Sequence, residues 1–351
     1  MINNIQALRA IAALLVVYSH VAAELGLRCR GGAGGVDIFF VISGFIIAYI
    51  ASGDRRQFLT RRLIRVLPVY WISTLTMFAL VLAMPARFHN TSADLGLLIR
   101  SLLFVPDASS MQVDGFLYPT LIAGWTLNYE MYFYVVFAIG LVVLPRRPTL
   151  VAIALLFVVM AIVQLTPLAG QPVARFYGYP IVIEFILGML GFHVVGYTAR
   201  YPMLVGKHAL LGCGIIGMVL LLLAEQRFGK AHRWFVCGVP AFAVVGSAVM
   251  LERLHGFGIR GGIVTLLGDA SYALYLTHAY VVNGTKRLML GDQQLSQPVG
   301  YVIGLALMAG SIMVAIVIHR YAERPLLNYL KRRFVDDKRS SPKVKIDLPS
   351  R

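Results

Sequence analysis

The protein is 351 residues long, 58% hydrophobic and 14% charged, with a formal net charge of +16. Soluble domains carry about 25% charged residues, so this composition excludes an ordinary soluble domain and predicts an all-α polytopic membrane protein. Nucleic acid is not an expected partner, because the Lys and Arg residues punctuate the apolar runs instead of clustering beside stacking aromatics.

Ten apolar runs are expected to span, at about 5–24, 35–53, 63–84, 124–144, 149–166, 180–198, 208–224, 234–251, 264–282 and 299–319. With the N-terminus inside, the inner stretches hold more Lys and Arg than the outer ones, so both termini are expected in the cytoplasm.

The first run reads "NNIQALRAIAALLVVYSH" (Asn3 to His20). "VAA" (Val21 to Ala23) resembles a signal-peptide cleavage site. Apolar residues extend upstream through Ile5 and Leu8 and many spans follow, which favours an uncleaved helix. An ionised side chain at bilayer depth costs roughly 2.5–3.5 kcal/mol and usually faces a cavity. Alone, Arg9 reads as a snorkelling anchor or a functional cation, and His20 as a packed or a functional histidine. Eleven positions of helix place them about 20° apart round the axis and about 16 Å apart along it. Sharing one face favours the functional reading of both.

The second run opens "GGAGGVDIFFVISGFIIAYI" (Gly31 to Ile50). No Lys-Ser/Thr follows the glycines and no strand precedes them, so this is not a phosphate loop. Asp37 lies at the outward mouth, near the expected depth of His20. It either orients that imidazole or compensates the helix N-terminus. The approach to the third run, "QFLTRRLIRVLPVYW" (Gln57 to Trp71), puts Arg62 and Arg65 on one helix face at the cytoplasmic end. Such a pair suits a polyphosphate ligand, with positive-inside anchoring as the plainer reading. Within the long outward loop 85–123, "LGLLIRSLLFV" (Leu95 to Val105) is too short to span and reads as an interfacial or re-entrant helix.

Further along, Glu130 in the fourth run and Glu184 in the sixth need a proton or a partner at that depth, an Arg being the structural choice. Trp125 and the span-end Tyr residues read first as belt aromatics. Ser271, Tyr272 and His278 on the ninth run suit interhelical hydrogen bonds. Cys29, Cys213 and Cys237 show neither CxxC spacing nor a His-rich frame, and no metal is expected. Residues 1–330 form the expected membrane domain, and the basic tail 331–351 is expected to be disordered and cytoplasmic.

These blocks together resemble the membrane-bound acyltransferase-3 family, its exopolysaccharide-modifying branch in particular, over almost all of residues 1–330. "RAIAALLVVYSH" fits the family's Arg/Lys-X10-His pattern as Arg9 and His20. "GVDIFFVISGF", and Arg62-X-X-Arg65 followed by Pro68 and Tyr70, fit as well. "GWTLNYEMYFY" (Gly124 to Tyr134) matches a Trp-(Ser/Thr)-Leu…Glu…Phe-Tyr block, giving Trp125 and Glu130. Glu184 in "IEFILGML", "LGDASYALYLTHAYV" (Leu267 to Val281) and "ERP" (Glu323 to Pro325) are weaker matches. Any one block is weak evidence; their shared order and spacing are specific.

The resemblance implies a protein of the bacterial inner membrane with ten or so helices. It would transfer an acyl group, usually acetyl from acetyl-CoA, to a sugar hydroxyl on the outer side. Its partners would be a glycan acceptor, the acetyl-CoA donor, membrane lipids, and glycan biosynthesis or export proteins. Members fused to a soluble esterase-like domain pass the group onwards. These 351 residues show no such domain, so the chain is expected to act alone or hand over to a separate partner. In this scheme His20 is the general base, Asp37 holds its tautomer and Glu130 orients an Arg. Arg9, Arg62 and Arg65 hold the donor, and Trp125, Tyr272 and His278 serve the acceptor. Two other classes remain: a glycan transporter or flippase, and an export component without acyl chemistry. Within the enzyme class, a small-molecule acceptor or a succinyl-CoA donor remains open. No inverted repeat of the transporter type is visible.

Overall fold

The computed structural model describes residues 2–28, 31–53, 55–85, 93–112, 115–201, 205–227, 232–291 and 295–335. Cys29 and most of the expected tail, 336–351, lie outside them. The described residues are mostly helical, with a single isolated β-bridge among them between Met111 and Leu117. Among them, nine helical runs are long and apolar enough to cross a membrane. The remaining expected span, 264–282, is a 24-residue helix, Gly262–Thr285. At 1.5 Å per residue it is about 36 Å long, but Asp269, Ser271, Thr277 and His278 make it more polar than the nine.

The chain divides into two compact units. The first takes Met1–Arg55 and Ile183–Ala322. It contains α1 (Asn3–Glu24), α2 (Gly34–Ala51), and then, beyond the second unit in sequence, the helices numbered α8 to α12 below. The second takes Arg56–Val182 and Glu323–Lys338. It opens with α3 (Phe58–Ala83), α4 (Leu95–Leu102), α5 (Trp125–Val143), α6 (Pro148–Leu165) and the short α7 (Pro172–Tyr177).

In the first unit follow α8 (Val182–Thr198), α9 (Lys207–Arg227), α10 (Val239–His255), α11 (Gly262–Thr285) and α12 (Gln297–Ile318). Helix α1 packs against α2, α10, α11 and α12. Its residues Ile5, Leu8 and Ala12 join one apolar core with Ile38, Val41 and Val245. Ala13, Val17 and Val21 join another with Ala273, Leu274 and Leu307. A helix buried on both flanks has few places for polar groups, so those it carries are conspicuous. Its first turn lacks a side-chain cap of its own. Glu252 of α10 substitutes, accepting from the backbone N–H groups of Asn3 at 2.9 Å and Asn4 at 2.7 Å. These are donors that a helix start otherwise leaves unsatisfied.

Helices α2 and α8 cross backbone to backbone. A Cβ added at Gly44 would lie 2.1 Å from the Phe185 carbonyl oxygen, and one at Gly188 would lie 2.1 Å from that of Val41. Gly35 meets α1 in the same way, 2.3 Å from the Ala12 carbonyl oxygen. The glycines around the second run thus serve close helix approach, the usual device where no hydrophobic force acts between helices in lipid.

In the second unit α3 packs against α4, α5 and the helix α13 (Arg324–Phe334), and α5 against α6. Helix α4 has eight residues, too few to span, which matches the short element expected in the long loop. Tyr70 of α3 donates its hydroxyl to the Ser101 carbonyl at 3.0 Å, and Trp71 its indole N–H to that of Leu102 at 2.9 Å. Helix α13 extends through Phe334, past the boundary expected at residue 330.

Candidate functional site

Arg9 and His20 both lie on α1, which is unbroken between them. His20 is exposed although Val17 and Val21 beside it are fully buried. Its ring meets that of His278 on α11, with centroids 4.9 Å apart and planes tilted by 54°. His278 is 1% exposed, and its Nδ1 lies 3.1 Å from the Leu274 carbonyl oxygen. Two imidazoles from two helices therefore meet, one sealed and one open. On α11 the fully buried Ser271 donates to the Gly268 carbonyl at 2.7 Å, a bond within its own helix. Tyr272 is half-buried.

Among the described residues Asp37 makes no hydrogen bond to His20. Its fully buried carboxylate is held by Arg233, with Nε to Oδ1 at 3.1 Å and Nη2 to Oδ2 at 2.7 Å. The same Nη2 reaches the Ala33 carbonyl at 3.2 Å. Bidentate guanidinium–carboxylate pairing is the strongest arrangement open to a buried acid, so it outcompetes an imidazole. Arg233 precedes a π-helical turn, Trp234–Gly238. Glu184, also fully buried, interacts electrostatically with Asp37 and Arg233. Gly238 leaves room for it: a Cβ there would lie 2.9 Å from Glu184 Cγ.

Arg9 donates from Nη1 to Gln6 Oε1 at 3.0 Å, and Gln6 donates from Nε2 to Asp269 Oδ1 at 2.8 Å. This chain ties α1 to α11, a structural tie for a residue expected to contact the donor.

The second unit holds the other candidates. The Tyr134 hydroxyl donates to the Glu130 carboxylate one helical turn away. The Arg62 guanidinium lies over the Tyr134 ring at 5.8 Å, and Arg65 acts on the same phenol electrostatically. Glu130 is thus linked to the Arg pair through Tyr134. Trp125 stands edge-on to Phe116 at 5.8 Å and to Tyr129 at 6.1 Å, and Tyr129 stacks on Phe176 at 4.0 Å. Packing among aromatics accounts for Trp125 as far as its ring contacts go. Of the cysteines, Cys213 is exposed and Cys237 buried, both as free thiols.

Reading the sequence alone missed Gln6, Tyr134, Arg233 and Asp269 as partners. Tyr134 and Asp269 stood inside motif blocks already quoted. Arg233 carried no comparable signal, being separated from Asp37 by almost two hundred residues.

A family model described as an acyltransferase domain matches residues 2–320. The chain belongs to the acyltransferase-3 family. Among named proteins it is 34% identical to the exopolysaccharide production protein ExoZ of Rhizobium meliloti, over 88% of this chain and 93% of that protein. It is 25% identical to the acyltransferase MdmB of Streptomyces mycarofaciens, over 94% of this chain and 92% of that one. It is 26% identical to the putative peptidoglycan O-acetyltransferase YrhL of Bacillus subtilis, over 93% of this chain but 55% of that longer protein. No solved structure matches. Together with the apolar helices, the acyltransferase-3 assignment makes the chain a membrane O-acetyltransferase.

Proposed function

We propose that this acyltransferase moves an acetyl group from cytoplasmic acetyl-CoA to a sugar hydroxyl of an exopolysaccharide or other envelope glycan, on the outer side of the bacterial inner membrane. The observation that carries the reading is the exposed imidazole of His20 at one end of a buried helix, about three turns from Arg9. Similarity to an exopolysaccharide production protein along nearly the whole chain favours a glycan acceptor. Both termini lie in the cytoplasm in this scheme. The acceptor is supplied by glycan biosynthesis or export proteins.

Acyl transfer needs a base at the hydroxyl, stabilisation of the oxyanion and a hold on the donor. Neutral His20 takes the hydroxyl proton while the new O–C bond forms and the thioester C–S bond breaks. That proton then goes to the departing thiolate, so free CoA leaves as the thiol. Arg62 and Arg65 suit the phosphates of the CoA nucleotide, since guanidinium groups bind phosphate bidentately. The long pantetheine arm lets a donor held at the inner side present its thioester much deeper.

Comparison of ester-linked acetyl groups on extracted glycans by NMR, with and without the gene, tests the reaction. His20→Ala should remove the acetyl signal while the protein stays in the membrane fraction. Full acetylation in that variant would overturn the role of His20. A glycan unchanged by loss of the whole gene would overturn the acceptor class.

A further inference from the structure

We infer that His278 is the positioning residue for His20: its Nε2 accepts the hydrogen bond that selects one His20 tautomer and leaves the opposite nitrogen bare for the acceptor hydroxyl. This rests on the acyl-transfer reading of His20 given above and names the group that makes its imidazole a directed base.

The tautomer of His278 follows from its surroundings. A carbonyl oxygen only accepts, so the 3.1 Å contact with Leu274 requires the proton on Nδ1. A second proton would place a cation among apolar helices, in a ring 1% exposed and with no ion-pair partner among the described residues. Nε2 is therefore bare. It is also buried without a hydrogen-bond partner, and a buried acceptor in that state calls for a donor.

The ring that approaches it is His20, 4.9 Å away between centroids. The next ring beside His278 is Tyr275, whose centroid is 6.2 Å distant. Catalytic hydrogen bonds are often long before substrate binds and tighten in the reacting complex, which suits two rings in contact but not yet bonded. Catalytic histidines are commonly oriented by a carboxylate, yet the acid nearest in expectation, Asp37, is committed to Arg233 at 2.7 Å. A neutral acceptor selects the tautomer without placing a permanent charge beside His20 inside the membrane. When His20 takes the hydroxyl proton, its other N–H strengthens its bond to His278 Nε2. The proton stays on His20 until the CoA thiolate accepts it, so His278 is unchanged over the cycle.

The test uses the full chain purified into lipid nanodiscs, with acetyl-CoA as donor and the extracted glycan as acceptor. His278→Leu keeps the volume and removes the acceptor. It should lower kcat about 100-fold, within the range of misdirected general-base catalysis, and leave the acetyl-CoA KM within about twofold. His278→Gln restores an acceptor oxygen and should recover about tenfold of that loss. His278→Leu active within about threefold of the unaltered protein, or His278→Gln as poor as His278→Leu at equal yield, would overturn the assignment. A readout independent of activity is the 15N imidazole NMR spectrum of the resting protein. It should show His278 protonated on Nδ1 with Nε2 accepting, and His20 shifting its tautomer balance in His278→Leu. A proton on His278 Nε2 overturns the proposal even if transfer proceeds. A protein that transfers no acetyl group at all overturns the functional reading instead, while the spectrum still decides the role of His278.

Discussion

At the scale of single residues, each polar group in these helices is defined by what it meets. Asp37 shows this most directly. Position along α2 made it a plausible partner for His20, but the fully buried carboxylate meets a guanidinium that chelates it. Removing one member of a buried pair leaves the other charge uncompensated and costs about 3–5 kcal/mol. Asp37→Asn should accordingly lower the thermal stability of the detergent-solubilised protein, with Arg233 left exposed to an apolar setting. Adding Arg233→Gln should recover part of that loss, because the two changes are not additive across a shared contact. A stable Asp37→Asn protein that has lost only catalysis would point back to a direct role in transfer. Arg9 makes a similar case: its bond to Gln6 leads on to Asp269 and so to α11, and helix positioning is the first effect expected of its loss.

At the scale of helices, the distances are set by missing side chains. Gly44 and Gly188 bring α2 and α8 so close that a methyl group on either would sit 2.1 Å from a backbone carbonyl. Gly188→Ala must therefore spread the two helices, and overpacking of this kind costs about 1–3 kcal/mol or more. Gly196, on the same helix, has nothing within 4 Å of an added Cβ. Gly196→Ala should be neutral or gain up to about 1 kcal/mol from helix propensity. Thermal melts of the two variants, side by side, separate the crossing from a general intolerance of α8 to change. Equal melting temperatures for both would mean that the close approach is not needed. The short α4 is fixed differently, by side-chain donors from Tyr70 and Trp71 to its last carbonyls.

At the scale of the whole molecule, the described helices fall into two compact units, and neither is continuous in sequence. The imidazole pair and the Asp37–Arg233 pair belong to the first, the Arg62–Tyr134–Glu130 group to the second. The distribution of Lys and Arg leads us to expect both termini in the cytoplasm. A green fluorescent protein fused after Arg351 should then fluoresce, and an alkaline phosphatase fused there should be inactive. The opposite pattern would invert the orientation and, with it, the side on which the donor is held.

Much of the architecture is legible in the sequence itself, because lipid leaves helices as the natural way to satisfy a backbone crossing it. Runs of apolar residues near twenty long therefore marked nearly every span, and an eleven-residue run marked a helix that does not cross. The partial exception is α11, where Asp269, Ser271, Thr277 and His278 dilute the apolar signal. Spacing within one helix was equally readable: the relation of Arg9 to His20 follows from 3.6 residues per turn alone. Pairings between helices were not. That His20 meets His278, that Asp37 is claimed by Arg233 and that Gln6 reaches Asp269 all join residues about two hundred or more positions apart. Periodicity describes the face a residue occupies on its own helix. Only packing decides which other helix lies against that face, and so which partner a buried polar group finds.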